Sequence, residues 1–351
     1  MTDEIGVAVI GTGMWANKVH LSAYQAHPQA RLVAVYDVDR DRADAAAKQF
    51  GAESVMTDYD ELLARDDISA VDIITPNVTH LPLVMAAIRA GKHVMCEKPM
   101  AMNVEEASQM TEAARNAGVK NGVNFTWRNG ASALYAKHLV EQGELGRIYH
   151  IQGCYLTGFA QNPDIPLIWR LQKELAGTGA LGDTGSHIID MAEWITGQRI
   201  TDLCADTETF TPERPLLGGG GMGEVDVEDA ASFLARFDGG AMGSVFTTFY
   251  ATGEGMDHRV EIYGQKGSLR ISYKDQESIH AAIGGADMQR IPIPDQFKLP
   301  EMRQANIRGF IDAIINDRSV VPNFEEGLRN QRVLDAVVAS AENDSWVKVE
   351  Q

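Results

Sequence analysis

Apolar and polar positions divide this chain into two regions with different periodicity. Through the first third, short apolar runs alternate with longer segments whose apolar residues recur at helical spacing. The runs at 5–10, 31–36, 70–75, 93–96 and 119–124 read as strands buried on both faces. A helical segment follows the first run, and helices are predicted over 39–50, 81–90 and 104–117, with a further short element near 60–63. Gly91 and Gly118 close two of these helices, and the aspartates beginning 39–50 suit the positive end of a helix dipole. Strands separated by helices of this length pair in parallel through right-handed crossovers, which is the doubly wound architecture of nucleotide-binding α/β domains.

Beyond about residue 125 the period changes. A helix at 132–142 is followed by a long strand at 147–157. Strict alternation then marks strands at 230–237, 241–250, 259–263 and 268–272. Asp238-Gly239-Gly240 and Gly264-Gln265-Lys266-Gly267 are turns between them, so these strands pair antiparallel. Gly218 to Gly223 reads as a loop, and helices at 302–316 and 325–342 close the chain. No internal repeat is visible. The expectation is an α/β protein: a Rossmann doubly wound parallel sheet over residues 1–124, then an α+β domain over 125–351.

Composition narrows the function. With 351 residues, 44% hydrophobic and 23% charged, the chain has the balance of a folded protein of two domains. Its formal charge of −18 repels phosphate backbones and anionic lipid, so neither nucleic acid nor a membrane surface is an expected partner. The start, Met1-Thr2-Asp3-Glu4, is acidic where a secretory leader is basic, and no apolar run reaches the ~18 residues of a membrane span. Cys96, Cys154 and Cys204 are odd in number and widely spaced, which argues against a disulfide framework, and no Cys/His spacing suits zinc. A reducing cytoplasm and a metal-free site are expected.

The first strand runs directly into Gly11-Thr12-Gly13-Met14-Trp15-Ala16, a G-x-G-x-x-A turn. The first glycine allows the tight turn, and the second lets a pyrophosphate approach the backbone. The small third residue lets the helix pack on the strand, with its N-terminus toward the anion. Asp37 ends the second strand, placed to accept hydrogen bonds from a ribose hydroxyl and to repel a 2′-phosphate, which favours NAD over NADP. Arg40 lies close enough to compete for such a phosphate, although a first-turn arginine ordinarily points to solvent. Thr75-Pro76-Asn77-Val78-Thr79-His80 and Glu97-Lys98-Pro99 follow later strands and are expected to border the cofactor, because ligands lie beyond the carboxyl ends of such sheets. A glycine-rich approach from Gly177 leads to Asp183, His187 and Asp190. The spacing of four places Asp183 and His187 on one helix face, where a carboxylate raises the basicity of an imidazole that accepts a proton.

Taken together, the glycine turn, Glu97-Lys98-Pro99 and the Gly-x-x-x-Asp-x-Gly-x-His-x-x-Asp segment resemble the Gfo/Idh/MocA oxidoreductase family, and the likeness spans the whole chain. The resemblance implies a C-terminal domain with a large, mostly antiparallel open sheet, and a homodimer or homotetramer. It also implies roles. Lys98 corresponds to a lysine near both nicotinamide and reacting hydroxyl, with a cis Lys98–Pro99 peptide. Asp183 and His187 correspond to the pair that binds substrate and handles its proton. Trp169-Arg170 corresponds to a Trp-Arg pair beside the nicotinamide in sugar- and polyol-oxidising members, and Arg128 is a further candidate substrate contact. The reaction so implied is NAD-dependent oxidation of a hydroxyl of a sugar or cyclic polyol held between the domains: an inositol, an aldopyranose or an anhydrosugar such as levoglucosan. His187 accepts the proton while Lys98 polarises the oxygen. Three other readings share these features: a redox-neutral glycoside hydrolase that retains NAD, an NADP-dependent sugar reductase, and a non-catalytic dinucleotide and sugar sensor.

Overall fold

The structure, a computed structural model, describes residues 4–350; the acidic start Met1-Thr2-Asp3 lies outside the described residues. The chain forms two compact units, residues 1–126 with 303–328, and residues 127–302 with 329–351.

The first unit carries β1 (Ile5–Ile10), α1 (Leu21–Ala26), β2 (Ala30–Tyr36), α2 (Arg40–Phe50), β3 (Ser54–Met56) and α3 (Tyr59–Leu63). It continues with β4 (Ala70–Ile73), α4 (His80–Arg89), β5 (His93–Cys96), α5 (Val104–Ala117) and β6 (Asn121–Val123). Every pairing is parallel, in the order β3-β2-β1-β4-β5-β6. Alternate residues of β1 feed separate cores on the two faces: Ala8 and Ile10 pack with Val84 and Met110, whereas Val7 and Val9 pack with Val19 and Leu21. Asp39, Asp58 and Asn103 cap α2, α3 and α5 by accepting from the amides of Arg42, Glu61 and Glu106. The order reverses between β1 and β4, and that is where such sheets bind ligands.

In the second unit lie α6 (Ala131–Glu141), β7 (Ile148–Thr157), α7 (Lys173–Ala176), α8 (Ser186–Thr196) and β8 (Ile200–Glu208). A small hairpin, β9 (Glu213–Pro215) with β10 (Met222–Glu224), carries Gly218 to Gly221 at its tip. The main strands are β11 (Ala230–Phe237), β12 (Met242–Thr248), β13 (Met256–Gly264), β14 (Ser268–Ser272), β15 (Ser278–Ala282) and β16 (Gln289–Pro292). With β7, β8 and the short β17 (Val347–Lys348) they make a nine-stranded sheet ordered β16-β15-β14-β13-β7-β12-β11-β8-β17. Only β7 with β12 is parallel there; the other pairings are antiparallel. Inward residues such as Phe233, Val245, Val260 and Ile262 share one core with Ala136, Ile188 and Ile195 from α6 and α8.

The division of the chain and some of its elements differ from the sequence expectation. The cut falls after residue 126, and residues 303–328 belong to the first unit, so the division is not the contiguous 1–124 and 125–351. The helix α9 (Ala305–Ile315) buries Ile307, Phe310 and Ile311 in the core that holds Val7 and Val9. Three such side chains contribute about 1.5–3 kcal/mol each on burial. Their spacing announces an apolar face without saying which core receives it. The strand β8 lacks clean alternation in Ile200-Thr201-Asp202-Leu203-Cys204-Ala205, which hid it. The final helix, α10, spans Phe324–Asn343.

Candidate active site

The turn after β1 is built for close approach. Gly11 has φ +91°, and a Cβ there would sit 2.3 Å from the Ile74 carbonyl oxygen beyond β4. The Thr12 amide and hydroxyl both donate to Asp37 Oδ2, at 2.8 and 2.9 Å, tying the ends of β1 and β2 together. Asn17 Nδ2 donates to the carbonyls of Thr12 and Gly13, at 2.6 and 2.8 Å. A Cβ on Gly13 would meet nothing within 4 Å, and Met14 is 79% exposed. This open cradle, at the start of a helical segment and beside an acid ending β2, fits a dinucleotide pyrophosphate and ribose. Arg40 pairs with Asp44 on the solvent side. The arginine at Asp37 is instead Arg42, whose guanidinium lies 3.2 Å from Asp37 Oδ1; sequence reading had not singled it out.

Beyond β4, Pro76 precedes a 3₁₀ turn at Asn77–Thr79, and the Thr79 hydroxyl lies 2.7 Å from both the Thr75 hydroxyl and the Pro76 carbonyl, donating to the carbonyl. Asn77 is buried. His80 is wholly enclosed: Nε2 lies 3.0 Å from the Thr75 carbonyl, and Nδ1 lies 3.1 and 3.2 Å from those of Pro99 and Met100. Its burial lowers its pKa. His80 therefore braces two loops; the direct cofactor contact expected of it is not offered by a side chain without exposed surface.

Glu97, expected to border the cofactor, is likewise turned inward. Only 7% exposed, its Oε1 accepts from Trp15 Nε1 at 3.0 Å and Asn124 Nδ2 at 2.6 Å, and it faces His20 Nε2 at 2.9 Å. Its Oε2 accepts from the Lys98 amide at 3.2 Å. The Lys98–Pro99 peptide is cis, as the resemblance implied. His20 Nδ1 lies 2.7 Å from Asp72 Oδ2, which also accepts from Tyr24 at 2.8 Å. Sequence reading missed His20, Asp72 and Asn124. The available signal was Asp72, a charge inside the otherwise apolar strand Ala70–Ile73 that must find partners.

In the second unit a π-helical turn at Leu181–Gly185 leads into α8, so Asp183 and His187 straddle the junction instead of sharing one α-helix. Such turns concentrate at functional sites. Glycine is required at 179, where a Cβ would fall 2.1 Å from the Glu228 carbonyl oxygen. The Glu228 carboxylate accepts the amides of Gly179 and Leu181, fixing the approach. Arg170 stacks over Trp169 at 4.3 Å and reaches Asp183 Oδ1 at 3.6 Å. His187, 6% exposed, packs edge-on to Trp127 with ring centroids 5.8 Å apart and lies 6.0 Å from Tyr155. Behind them His258 sits among Trp127, Tyr155 and Tyr273, and burial draws its pKa down to about 4. Asp190 pairs with Arg128 through two bonds of 2.8 and 2.5 Å, both side chains buried. Trp127, Tyr155 and His258 were not foreseen, since an aromatic nest assembles from distant strands.

The first unit thus carries a cradle suited to a dinucleotide, and the second an acid and an imidazole at a glycine-rich helix start, features in keeping with a nicotinamide-dependent oxidoreductase. Residues 5–125 match the model of the oxidoreductase family with NAD-binding Rossmann fold, and residues 133–270 that of the GFO/IDH/MocA C-terminal domain. Levoglucosan dehydrogenase of Pseudarthrobacter phenanthrenivorans is 33% identical, over 99% of each chain. Inositol 2-dehydrogenase of Rhizobium meliloti is 26% identical, over 99% of this chain and 100% of that one. A levoglucosan dehydrogenase structure in complex with NADH and L-sorbose superposes with a TM-score of 0.94 at 33% identity, covering 99% of this chain and 100% of that one. The chain belongs to the Gfo/Idh/MocA family of oxidoreductases, and its Rossmann domain is NAD-binding. No helix among the described residues is long and apolar enough to cross a membrane.

Proposed function

We propose that this protein is an NAD-dependent dehydrogenase that oxidises a secondary or anomeric hydroxyl of a sugar or cyclic polyol. The observation that carries the reading is His187, almost enclosed against Trp127 and Tyr155, four residues beyond an Asp183 carboxylate that Arg170 approaches. A hydroxyl proton passes to the His187 imidazole, Asp183 helps to hold the ring and substrate, and the Lys98 ammonium polarises the same oxygen. As the C–H pair leaves as hydride, the carbinol becomes a carbonyl. NAD, when bound, supplies the acceptor for that hydride. Gly11, Thr12, Gly13, Met14, Trp15 and Asp37 hold the dinucleotide, with Thr75, Pro76 and Asn77 at its border and Trp169 and Arg170 toward the reacting end. A pyranose such as levoglucosan is favoured as substrate by the whole-length similarity to levoglucosan dehydrogenase. Leu234, Met242 and Phe246, exposed on one face of adjacent strands, favour association into a homodimer or homotetramer, to be read by light scattering.

The test is a panel of levoglucosan, myo-inositol, D-glucose and L-sorbose with NAD or NADP, followed by NADH absorbance. Stoichiometric NADH from one panel member, preferring NAD, supports the reading. Turnover without net NADH replaces it with redox-neutral chemistry, and faster turnover with NADP overturns the cofactor assignment. His187→Ala is expected to lower kcat by about 10²–10⁴ with little change in NADH affinity, the range for loss of a proton-transfer group. Unchanged kcat would remove His187 from its role.

A further inference from the structure

His20 ends the π-helical turn Ala16–His20 just behind the glycine turn, and it is fully buried. Each ring nitrogen meets a carboxylate, Asp72 on β4 at 2.7 Å and Glu97 at the end of β5 at 2.9 Å. Glu97 is also the point at which Trp15 of the glycine-turn segment, Asn124 beyond β6 and the Lys98 amide converge. We propose that His20 is a positioning residue for Lys98: clamped between Asp72 and Glu97, it fixes the Glu97 carboxylate, and Glu97 holds the Lys98 main chain in register with the glycine turn. The inference rests on the reading that Lys98 acts on the substrate hydroxyl.

Charge is central to the clamp. An imidazolium can donate to a carboxylate at each nitrogen, and the raised pKa of His20 favours that form; Asn124 Nδ2, 3.2 Å from Nε2, then donates to Glu97. Burial works against that charge, but the field and hydrogen bond of Asp72 and the contacts with Glu97 carry His20 to about 10. Burial likewise disfavours ionised Glu97, yet the hydrogen bond and charge of His20, with Lys98 and Asn124, bring it to about 2. The titratable groups facing this centre are Asp72, Tyr24, Glu97, Cys96, Lys98 and the buried His80, whose pKa burial lowers. Without the imidazolium, two carboxylates share one enclosed site and Glu97 takes up a proton at higher pH. A protonated Glu97 loses acceptor capacity toward Trp15, Asn124 and the Lys98 amide.

The experiment uses His20→Gln, which keeps a polar side chain but not the charge, assayed with the best-turned-over panel member from pH 5 to 9. NADH affinity is measured in parallel, and Asp72→Asn serves as a second variant should His20→Gln fail to fold. The expected result is kcat lowered by about tenfold or more with NADH affinity within about threefold, the signature of a lost positioning contact. The acid limb of kcat moves up by about one pH unit or more as Glu97 enters the titrating range. In His20→Gln/Glu97→Gln that movement disappears while kcat stays low. A folded variant with wild-type kcat and limb overturns the proposal, and so does a loss of kcat that is equal at every pH, which marks a purely structural histidine. Lys98→Met separates the two claims. If it keeps wild-type turnover, the functional reading fails; if it loses turnover while both clamp variants keep theirs, only this inference fails.

Discussion

Replacing Asp190 by alanine tests whether Arg128 belongs to the substrate or to the fold. Arg128 and Asp190 have side chains only 7% and 4% exposed and join through two bonds of 2.8 and 2.5 Å. Trp194 lies 5.5 Å from the same guanidinium. Were this pair at the surface, its loss would cost ~0–1 kcal/mol. Enclosed, the variant removes the carboxylate that neutralises a guanidinium almost out of reach of water, and the cost rises to about 3–5 kcal/mol. Urea unfolding is the assay, because urea leaves the ion pair unscreened. Trp127, Trp169, Trp194 and Trp346 all lie in the second unit, so tryptophan fluorescence reports chiefly on it. Arg128→Met/Asp190→Leu is expected to recover most of the loss, since it leaves no unpaired charge. The same double variant decides the functional question, its KM staying near wild type if the pair is structural. A loss below about 1 kcal/mol in Asp190→Ala would refute the burial argument. A KM raised about tenfold in the folded double variant would return Arg128 to the substrate.

Two further outcomes follow from the first unit. Gly13→Ala adds a methyl to open space and should leave the apo protein's melting temperature unchanged while weakening NADH by about tenfold or more. Gly11→Ala, with its Cβ 2.3 Å from a carbonyl oxygen at φ +91°, should lower stability before any ligand is added; calorimetry with and without NADH separates the two, and equal behaviour would sink the cradle assignment. For pH, His20 is raised from 6.5 to about 10, so its stabilisation is complete below 6.5 and is lost as pH rises through about 10. Glu97 is lowered from 4.5 to about 2, so its contribution holds above 4.5 and fades as pH falls toward 2. The stability advantage of wild type over His20→Gln should therefore shrink from pH 6.5 upward in melting scans, and an advantage that grows with pH would contradict the imidazolium.

Much of the first unit was legible because its signals are local. The strand before Gly11, the glycines of the turn, the capping Asp39 and the αL closure at Gly118 each depend on residues within a turn of one another. The alternation of 230–237 likewise appears as burial of every second residue in β11. The spacing of Asp183 and His187 was legible and the resemblance supplied the role expected of them, although the π-helical turn at Leu181–Gly185 was not, since an added residue in a helix leaves no mark in the pattern.

The chain by itself therefore determined which apolar residues face inward where the alternation or helical spacing is clean, where most turns fall, and that the first strand ends in a dinucleotide turn followed by Asp37. Tertiary structure alone decided which partner each inward residue meets. α9 joins the core of Val7 and Val9, β7 lies parallel to β12, Asp190 takes Arg128, and His20 lies between Asp72 and Glu97. Periodicity encodes a direction relative to the local axis and so survives in one dimension. A buried charge specifies only that some partner is required, and the identity of that partner is set by strands and helices brought together from 52 and 77 positions away.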